Sequence, residues 1–182
     1  THDALTGIWN RRAMMDTLER ELSSLRRERA PMTIMLGDLD HFKEIDDAHG
    51  HLVGDEVLRE VARRLKLSVR PYDFVGRYGA EEFLMVLLNC GQAEALGRAE
   101  EARKLVVNDR VQTAAGPLRV TISLGVAVVC DCPDQLEKIL SAVDLALYQA
   151  KAGGRDCVRL ATAGDLLAPT SPMIHRVPSP DK

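Results

Sequence analysis

Apolar residues recur along this chain with two periods, and the switches between them outline its elements. Met14, Met15, Leu18, Leu22 and Leu25 fall at helical spacing with Asp16, Glu19, Arg20 and Glu21 between them, predicting an amphipathic helix from about Arg11 to Arg29. Pro31 ends it, and Met32 to Gly37 reads as a strand that runs into Asp38-Leu39-Asp40. Polar groups at the carboxyl end of a strand lie where open α/β sheets bind ligands. A short helix is expected near His41 to Asp47. Val57, Leu58, Val61 and Leu65 mark another from Asp55 to about Val69, with Asp55 as a natural N-cap.

Phe74 to Arg77 and Phe83 to Leu88 read as strands around the small pair Gly79-Ala80, a hairpin signal. Gln92 to Val107 has Ala95, Leu96, Ala99, Ala102 and Leu105 or Val106 inward, as a helix. Val111 to Ala115 and Leu118 to Val129 are expected as strands about a Gly116-Pro117 turn. In the second, Val120, Ile122, Leu124, Val126 and Val128 alternate with Thr121, Ser123, Gly125 and Ala127, small partners that imply a face closely covered by a helix. Leu136, Ile139, Leu140, Val143, Leu147 and Ala150 mark a last long helix stopping near Gly153-Gly154, and Cys157 to Leu160 is a closing strand.

Beyond Ala161 periodicity is lost and four of the chain's eight prolines appear, at 169, 172, 178 and 180. The expected organisation is therefore one domain over 1–161 and a disordered tail over 162–182. With 182 residues, 46% hydrophobic and 28% charged, the chain can build one ordinary core. A formal charge of −3 argues against a nucleic-acid binder without excluding a nucleotide substrate. No stretch approaches the roughly 18 apolar residues of a membrane span. Cys90, Cys130, Cys132 and Cys157 lack zinc-type spacing and read as reduced thiols of a cytoplasmic domain. Motif residues stand within ten positions of Thr1, which points to a piece of a longer protein, preceded by a sensory or regulatory segment; membrane anchoring of the whole protein is left open.

The candidate chemistry centres on acids. Glu81 and Glu82 sit at the mouth of the predicted hairpin, and Asp38 stands at the end of another strand. Their meeting in space would create a site for divalent metal and phosphate.

Taken together, the motifs resemble the GGDEF family of diguanylate cyclase catalytic domains. They are Asp3-Ala4-Leu5-Thr6-Gly7 with Asn10-Arg11-Arg12, Asp38-Leu39-Asp40-His41-Phe42-Lys43, Gly50-His51 with Gly54-Asp55, Gly79-Ala80-Glu81-Glu82-Phe83, and Lys151 with Gly154-Arg155, in family order over about 1–160. The resemblance implies an α/β (α+β) fold: a central, mostly antiparallel five-stranded sheet surrounded by helices, similar to nucleotide cyclases and polymerase palm domains. It implies condensation of two GTP into cyclic di-GMP and two pyrophosphates at a homodimer interface. Asp38, the Leu39 carbonyl, Glu81 and Glu82 would hold two magnesium ions, manganese being a second candidate, and one of the two glutamates would take the hydroxyl proton. Lys43, Lys151, Arg155 and backbone N–H groups from Asp40 to Phe42 would hold phosphates. His41, Phe42, Gly79 and Ala80 would line the substrate through backbone and packing, Asp46 and Asp55 would meet the guanine, and His51 would contact the substrate, though on residues alone it also fits a loop histidine bonded to backbone. Arg70 and Asp73 match the family's Arg-x-x-Asp inhibitory product site. Read on residues alone, Lys151 and Arg155 also fit a solvated helix end, and Arg70 with Asp73 a surface pair.

Three positions depart from the family pattern, of which Asp156, replacing the usual asparagine after Arg155, matters less. Ala80 replaces a glycine, which in a type I′ turn would place an alanine at φ > 0 at a cost of ~1–2 kcal/mol. Asp46 replaces an asparagine, so an ionised side chain accepts but does not donate. These changes keep two alternatives in play: a domain that binds GTP or cyclic di-GMP without turnover, and a cyclase of altered purine choice.

Overall fold

The computed structural model describes residues 1–130 and 136–167. Helix α1 (Arg11–Glu28) starts where the Asn10 side chain accepts the Ala13 N–H, and stops where Arg29 turns left-handed at φ 53°. Strand β1 (Met32–Leu39) follows, then α2 (Phe42–His49), α3 (His51–Ser68), β2 (Phe74–Arg77), β3 (Glu82–Leu88) and α4 (Gln92–Val107). The remainder is β4 (Val111–Thr113), β5 (Gly116–Leu118), β6 (Ile122–Val129), α5 (Leu136–Ala152), β7 (Val158–Leu160) and α6 (Ala163–Leu167).

Five strands form one sheet in the order β2-β3-β1-β6-β7, antiparallel except for the parallel β6–β7 pair. Side chains alternate between its faces. Met35, Phe83, Met85, Leu124 and Val126 pack with Val57, Val61 and Leu65 of α3 and Ala95, Ala99 and Ala102 of α4. Ile34, Leu36, Leu84 and Val86 pack on the other face with Met14, Leu18 and Leu22 of α1 and Val143 and Leu147 of α5. Because both faces are covered, β1 and β3 read as near-continuous apolar runs despite being antiparallel. The expected fold class is the one observed. Among the described residues, no helix is long and apolar enough to cross a membrane.

Three local expectations need correction. Helix α3 begins at His51, directly after Gly50 (φ 86°), so Asp55 is inside the helix and not its N-cap. Gly54 there is a packing contact: a Cβ would lie 3.2 Å from Phe42 Cζ and collide with the Asp46 carboxylate. The β4–β5 turn falls at Ala114-Ala115, with Gly116 and Pro117 inside β5, because Thr113 Oγ1 donates to the Gly116 carbonyl and accepts the Ala115 N–H. Strand β6 starts at Ile122, not Leu118. Beyond Ala161, residues 163–167 form the short α6; the rest of the expected tail, from 168, lies outside the described residues, as does Cys132. Cys90, Cys130 and Cys157 are free thiols.

The small residues of β6 meet α5 as expected. A Cβ on Gly125 would stand 2.3 Å from the Val143 carbonyl oxygen and 2.4 Å from the Leu147 nitrogen, backbone atoms that cannot step aside. Gly125→Ala is therefore expected to lower stability by about 1–3 kcal/mol in urea unfolding. Gly97→Ala, in α4 with nothing within 4 Å of the new methyl, should raise it by roughly 0.5–1 kcal/mol.

Candidate active site

The register of the central sheet decides where the acids stand. Asp38 is the cross-strand partner of Glu82 on one side and of Ser123 on the other. One residue on, the Leu39 N–H donates to the Glu81 carbonyl at 3.2 Å. The structure thus brings Asp38, Leu39, Glu81 and Glu82 to one end of the β1–β3 pair. Asp38 is 17% exposed. Burial above all, then the charges of Glu81 and Glu82, push its carboxyl up to about 6, against the opposing pull of the Lys151 ammonium.

Lys151, in the last turn of α5, donates to Asp38 Oδ1, lies 3.4 Å from the Leu39 carbonyl oxygen and 3.8 Å from Asp40 Oδ1. Asp40 itself is buried and serves the fold: it accepts Thr121 Oγ1 and Ser123 Oγ at 2.7 Å and the Asp156 N–H at 3.0 Å. Its own N–H is spent on the Thr121 carbonyl at 2.9 Å, so it leaves the set of backbone donors expected at phosphate. His41 (φ 57°) opens α2, with Nδ1 2.8 Å from Glu44 Oε1; Phe42 is buried and Lys43 exposed.

The signature loop is not the expected type I′ turn. Among the described non-glycine residues positive φ occurs at Arg29, His41, Asn89, Arg155 and Asp156, and Gly79 is not among the positive-φ glycines either. Residues 78–81 instead form a longer loop in which the Tyr78 and Gly79 N–H groups both reach the Glu82 carbonyl, at 2.8 and 3.3 Å. Ala80 is exposed and free of the strain anticipated for it. At Gly79 a Cβ would lie 2.1 Å from Glu82 Oε2, so a side chain there would displace the Glu82 carboxylate. Arg77 holds the loop, donating to the Ala80 carbonyl at 2.8 Å and pairing with Asp3 at 3.4 Å.

Across α2 and α3, Asp46 Oδ2 is 2.5 Å from His51 Nδ1, so two residues expected at the substrate are joined to each other. Asp55 is half-buried one turn after His51. Arg155 is left-handed at φ 63°, and its N–H donates to the Ala150 carbonyl at 3.1 Å. Left-handed backbone costs a non-glycine residue about 1–2 kcal/mol, and Asp156 (φ 46°) shares it.

Arg70 and Asp73 part company. Arg70 reaches outward, donating to Tyr72 Oη at 3.0 Å. The Asp73 side chain is 1% exposed. Its oxygens accept the Arg70 and Leu88 N–H groups at 2.9 and 3.0 Å, so Asp73 is not presented to a ligand as expected. A groove of about 540 Å³ lies apart from Asp38, Glu81 and Glu82; it runs between α3 and α4 and is lined by Val69, Arg70, Arg98, Glu101, Lys104 and Leu105 among others. A smaller depression of about 360 Å³ adjoins Asp40, His41, Ile45 and Arg119.

The donor set suits a hard divalent cation: three carboxylates and a carbonyl oxygen. The Lys151 ammonium already samples two of those oxygens, on Asp38 and Leu39. As they stand, no three His, Cys, Asp or Glu side chains among the described residues are drawn tightly enough together to hold an ion. Sequence reasoning missed Arg77, Arg98 and Arg103. Arginines on helix faces and strand ends carry no signal of their distant partners: Ser68 for Arg98 (30 positions away), Asp156 for Arg103 (53) and Asp3 for Arg77 (74).

The sheet, covered on both faces, thus carries acids at one end of its central β1–β3 pair beside a lysine from a packed helix, an arrangement suited to a cation and phosphate. The chain belongs to the GGDEF family: the family described as "Diguanylate cyclase, GGDEF domain" matches residues 1–157. It is 38% identical over 159 residues to Diguanylate cyclase DosC of Escherichia coli, covering 87% of this chain and 34% of that protein. It is 42% identical over 158 residues to Response regulator PleD of Caulobacter vibrioides, covering 86% and 35%. This chain thus spans about a third of the length of these curated relatives. The crystal structure of the GGDEF domain of DgcB from Caulobacter crescentus in complex with c-di-GMP superposes with a TM-score of 0.84 at 32% identity, covering 88% of this chain and 95% of that one.

The raised Asp38 carboxyl has a thermodynamic consequence. Between its ordinary 3.8 and about 6 the unfolded chain has lost this proton while the folded one keeps it, so stability falls as pH rises through that window and stays reduced above it. The penalty at neutral pH is on the order of 3 kcal/mol. Asp38→Asn is expected to raise the melting temperature near pH 7 and leave it unchanged near pH 4, a difference that calorimetric scans at the two pH values would reveal.

Proposed function

We propose that this chain is the catalytic domain of an active diguanylate cyclase, joining two GTP into cyclic di-GMP between two copies that face one another. The observation that carries this reading is the pairing of Asp38 with Glu82 across β1 and β3, with Glu81 beside them. In each of two steps a ribose 3′-oxygen attacks the α-phosphorus of the other nucleotide, the new O–P bond forms, the bond to pyrophosphate breaks, and Glu81 or Glu82 takes the hydroxyl proton. Asp38, the Leu39 carbonyl, Glu81 and Glu82 are the residues to hold two magnesium ions, or manganese, which supply neutralisation of the triphosphate charge.

On this reading Lys43, Lys151 and Arg155 take phosphate oxygens, with the N–H groups of His41 and Phe42 at the start of α2. Asp55 accepts from the guanine edge, and Gly79 and Ala80 border the nucleotide. Asp46 lacks the amide donor of the family pattern, and its Oδ2 is engaged with His51 Nδ1, so discrimination of guanine rests on Asp55. The absence of strain at Ala80 favours the enzyme over a binding-only domain. An upstream sensory or regulatory segment would bring two copies together.

The groove at Arg70 supports feedback by the cyclic dinucleotide product. There Arg98 and Lys104 supply the charge, and Asp73 acts from below by holding the Arg70 backbone.

Incubation of the chain with GTP and magnesium is expected to yield pyrophosphate and cyclic di-GMP, with ATP a poor competitor. Glu82→Gln should reduce turnover by at least ~100-fold. No product at high protein concentration would overturn the reading. Arg70→Ala and Arg98→Ala are each expected to raise the cyclic di-GMP concentration needed for half-inhibition by about tenfold while leaving uninhibited turnover within twofold, as dose-response curves would show.

A further inference from the structure

The segment after α5 runs through Gly154, Arg155 and Asp156 at φ of 116°, 63° and 46°. Two adjacent non-glycine residues in the left-handed region persist only where the surroundings over-determine them. Here the surroundings are specific. The Asp156 N–H donates to Asp40 Oδ2 at 3.0 Å, and Asp40 is in turn fixed by Thr121 and Ser123 of the sheet. The Asp156 carboxylate pairs with Arg103 Nη1. Arg103 is 15% exposed and is itself gripped by Glu100, one turn earlier on α4, through Nε at 2.9 Å and Nη2 at 2.7 Å. Asp156 therefore ties the segment at once to the sheet, through Asp40, and to α4, through Arg103.

Arg155 sits between these anchors and the end of α5. With its backbone fixed at φ 63°, the direction its side chain leaves the chain is fixed too. Lys151, one turn earlier, lies against the same Asp40.

We propose that Asp156, clamped by Arg103, is a positioning residue that aims Arg155 at the polyphosphate of the bound nucleotide. The inference rests on the GTP reading above. Released from Arg103, the segment relaxes out of the left-handed region and Arg155 leaves its aim; the acids, the base contacts and Lys151 stay in place.

Calorimetric titration with the α,β-methylene analogue of GTP, which cannot react, and with GMP tests this without relying on turnover. Asp156→Ala is expected to weaken the analogue about tenfold and GMP less than twofold, and Arg103→Met to do the same. The double variant should be no worse than either single one, and Asp156→Ala should cost nothing further in an Arg155→Ala background. Asp156→Asn, whose side chain tolerates the left-handed region but loses the charge, should fall between wild type and Asp156→Ala. Equal weakening of analogue and GMP, or an undiminished effect without Arg155, overturns the proposal. Should Asp156→Ala fail to fold by circular dichroism, the same comparison on Asp156→Asn and Arg103→Gln decides. A wild-type chain that binds neither nucleotide overturns this inference and the GTP reading together. One that binds the analogue yet forms no product from GTP overturns the proposed activity alone.

Discussion

A carboxylate held largely out of water beside two others is an unfavourable arrangement, and the domain keeps one at Asp38. The register of β1 against β3 makes it unavoidable, because the pairing that buries Phe83, Met85 and Leu87 on one face and Leu84 and Val86 on the other also sets Asp38 opposite Glu82. A shift by one residue would relieve the repulsion and turn the whole strand inside out. The hydrophobic pattern thus holds the acids together, and the stability of the core offsets what their proximity costs. Lys151 compensates in part, and a cation among the same oxygens would compensate further.

Around that pair the polar network has a definite direction. Asp40 accepts from Thr121, Ser123 and Asp156, so the two aspartates flanking Leu39 are treated differently. One is set among the acids and Lys151, and the other is consumed by structure. A buried carboxylate with three donors is fully satisfied, and it gives the end of α5 a fixed attachment to the sheet.

Much of this was legible in the sequence, and the failures are instructive. Period-2 and period-3.6 patterns locate strands β1 and β3 and helices α1, α4 and α5 closely, because each buries a continuous stripe; the expected start of β6 lies four residues early. Asp55 misleads because an acid ahead of a periodic apolar run looks like an N-cap, whereas α3 already starts at His51 and Gly54 lets α2 lie on it. Gly79-Ala80 was read as a two-residue turn, but the Glu82 carbonyl collects two N–H groups and makes a longer loop. Asp73 was read as exposed, since a polar residue beside Pro71 and Tyr72 gives no hint that Leu88, fifteen positions on, needs its oxygen. Contacts between charged groups distant in sequence, such as Arg103 with Asp156, have no periodicity to betray them.

The contact at Gly125 reaches beyond stability. With Val143 and Leu147 seated directly on its backbone, α5 cannot slide along β6, and Lys151 lies one turn past Leu147. The spacing between Lys151 and Asp38 is consequently set by a backbone contact that cannot give. On the proposed reading, a signal from an upstream segment would have little purchase on that dimension; it would vary how often, and in what orientation, two copies meet.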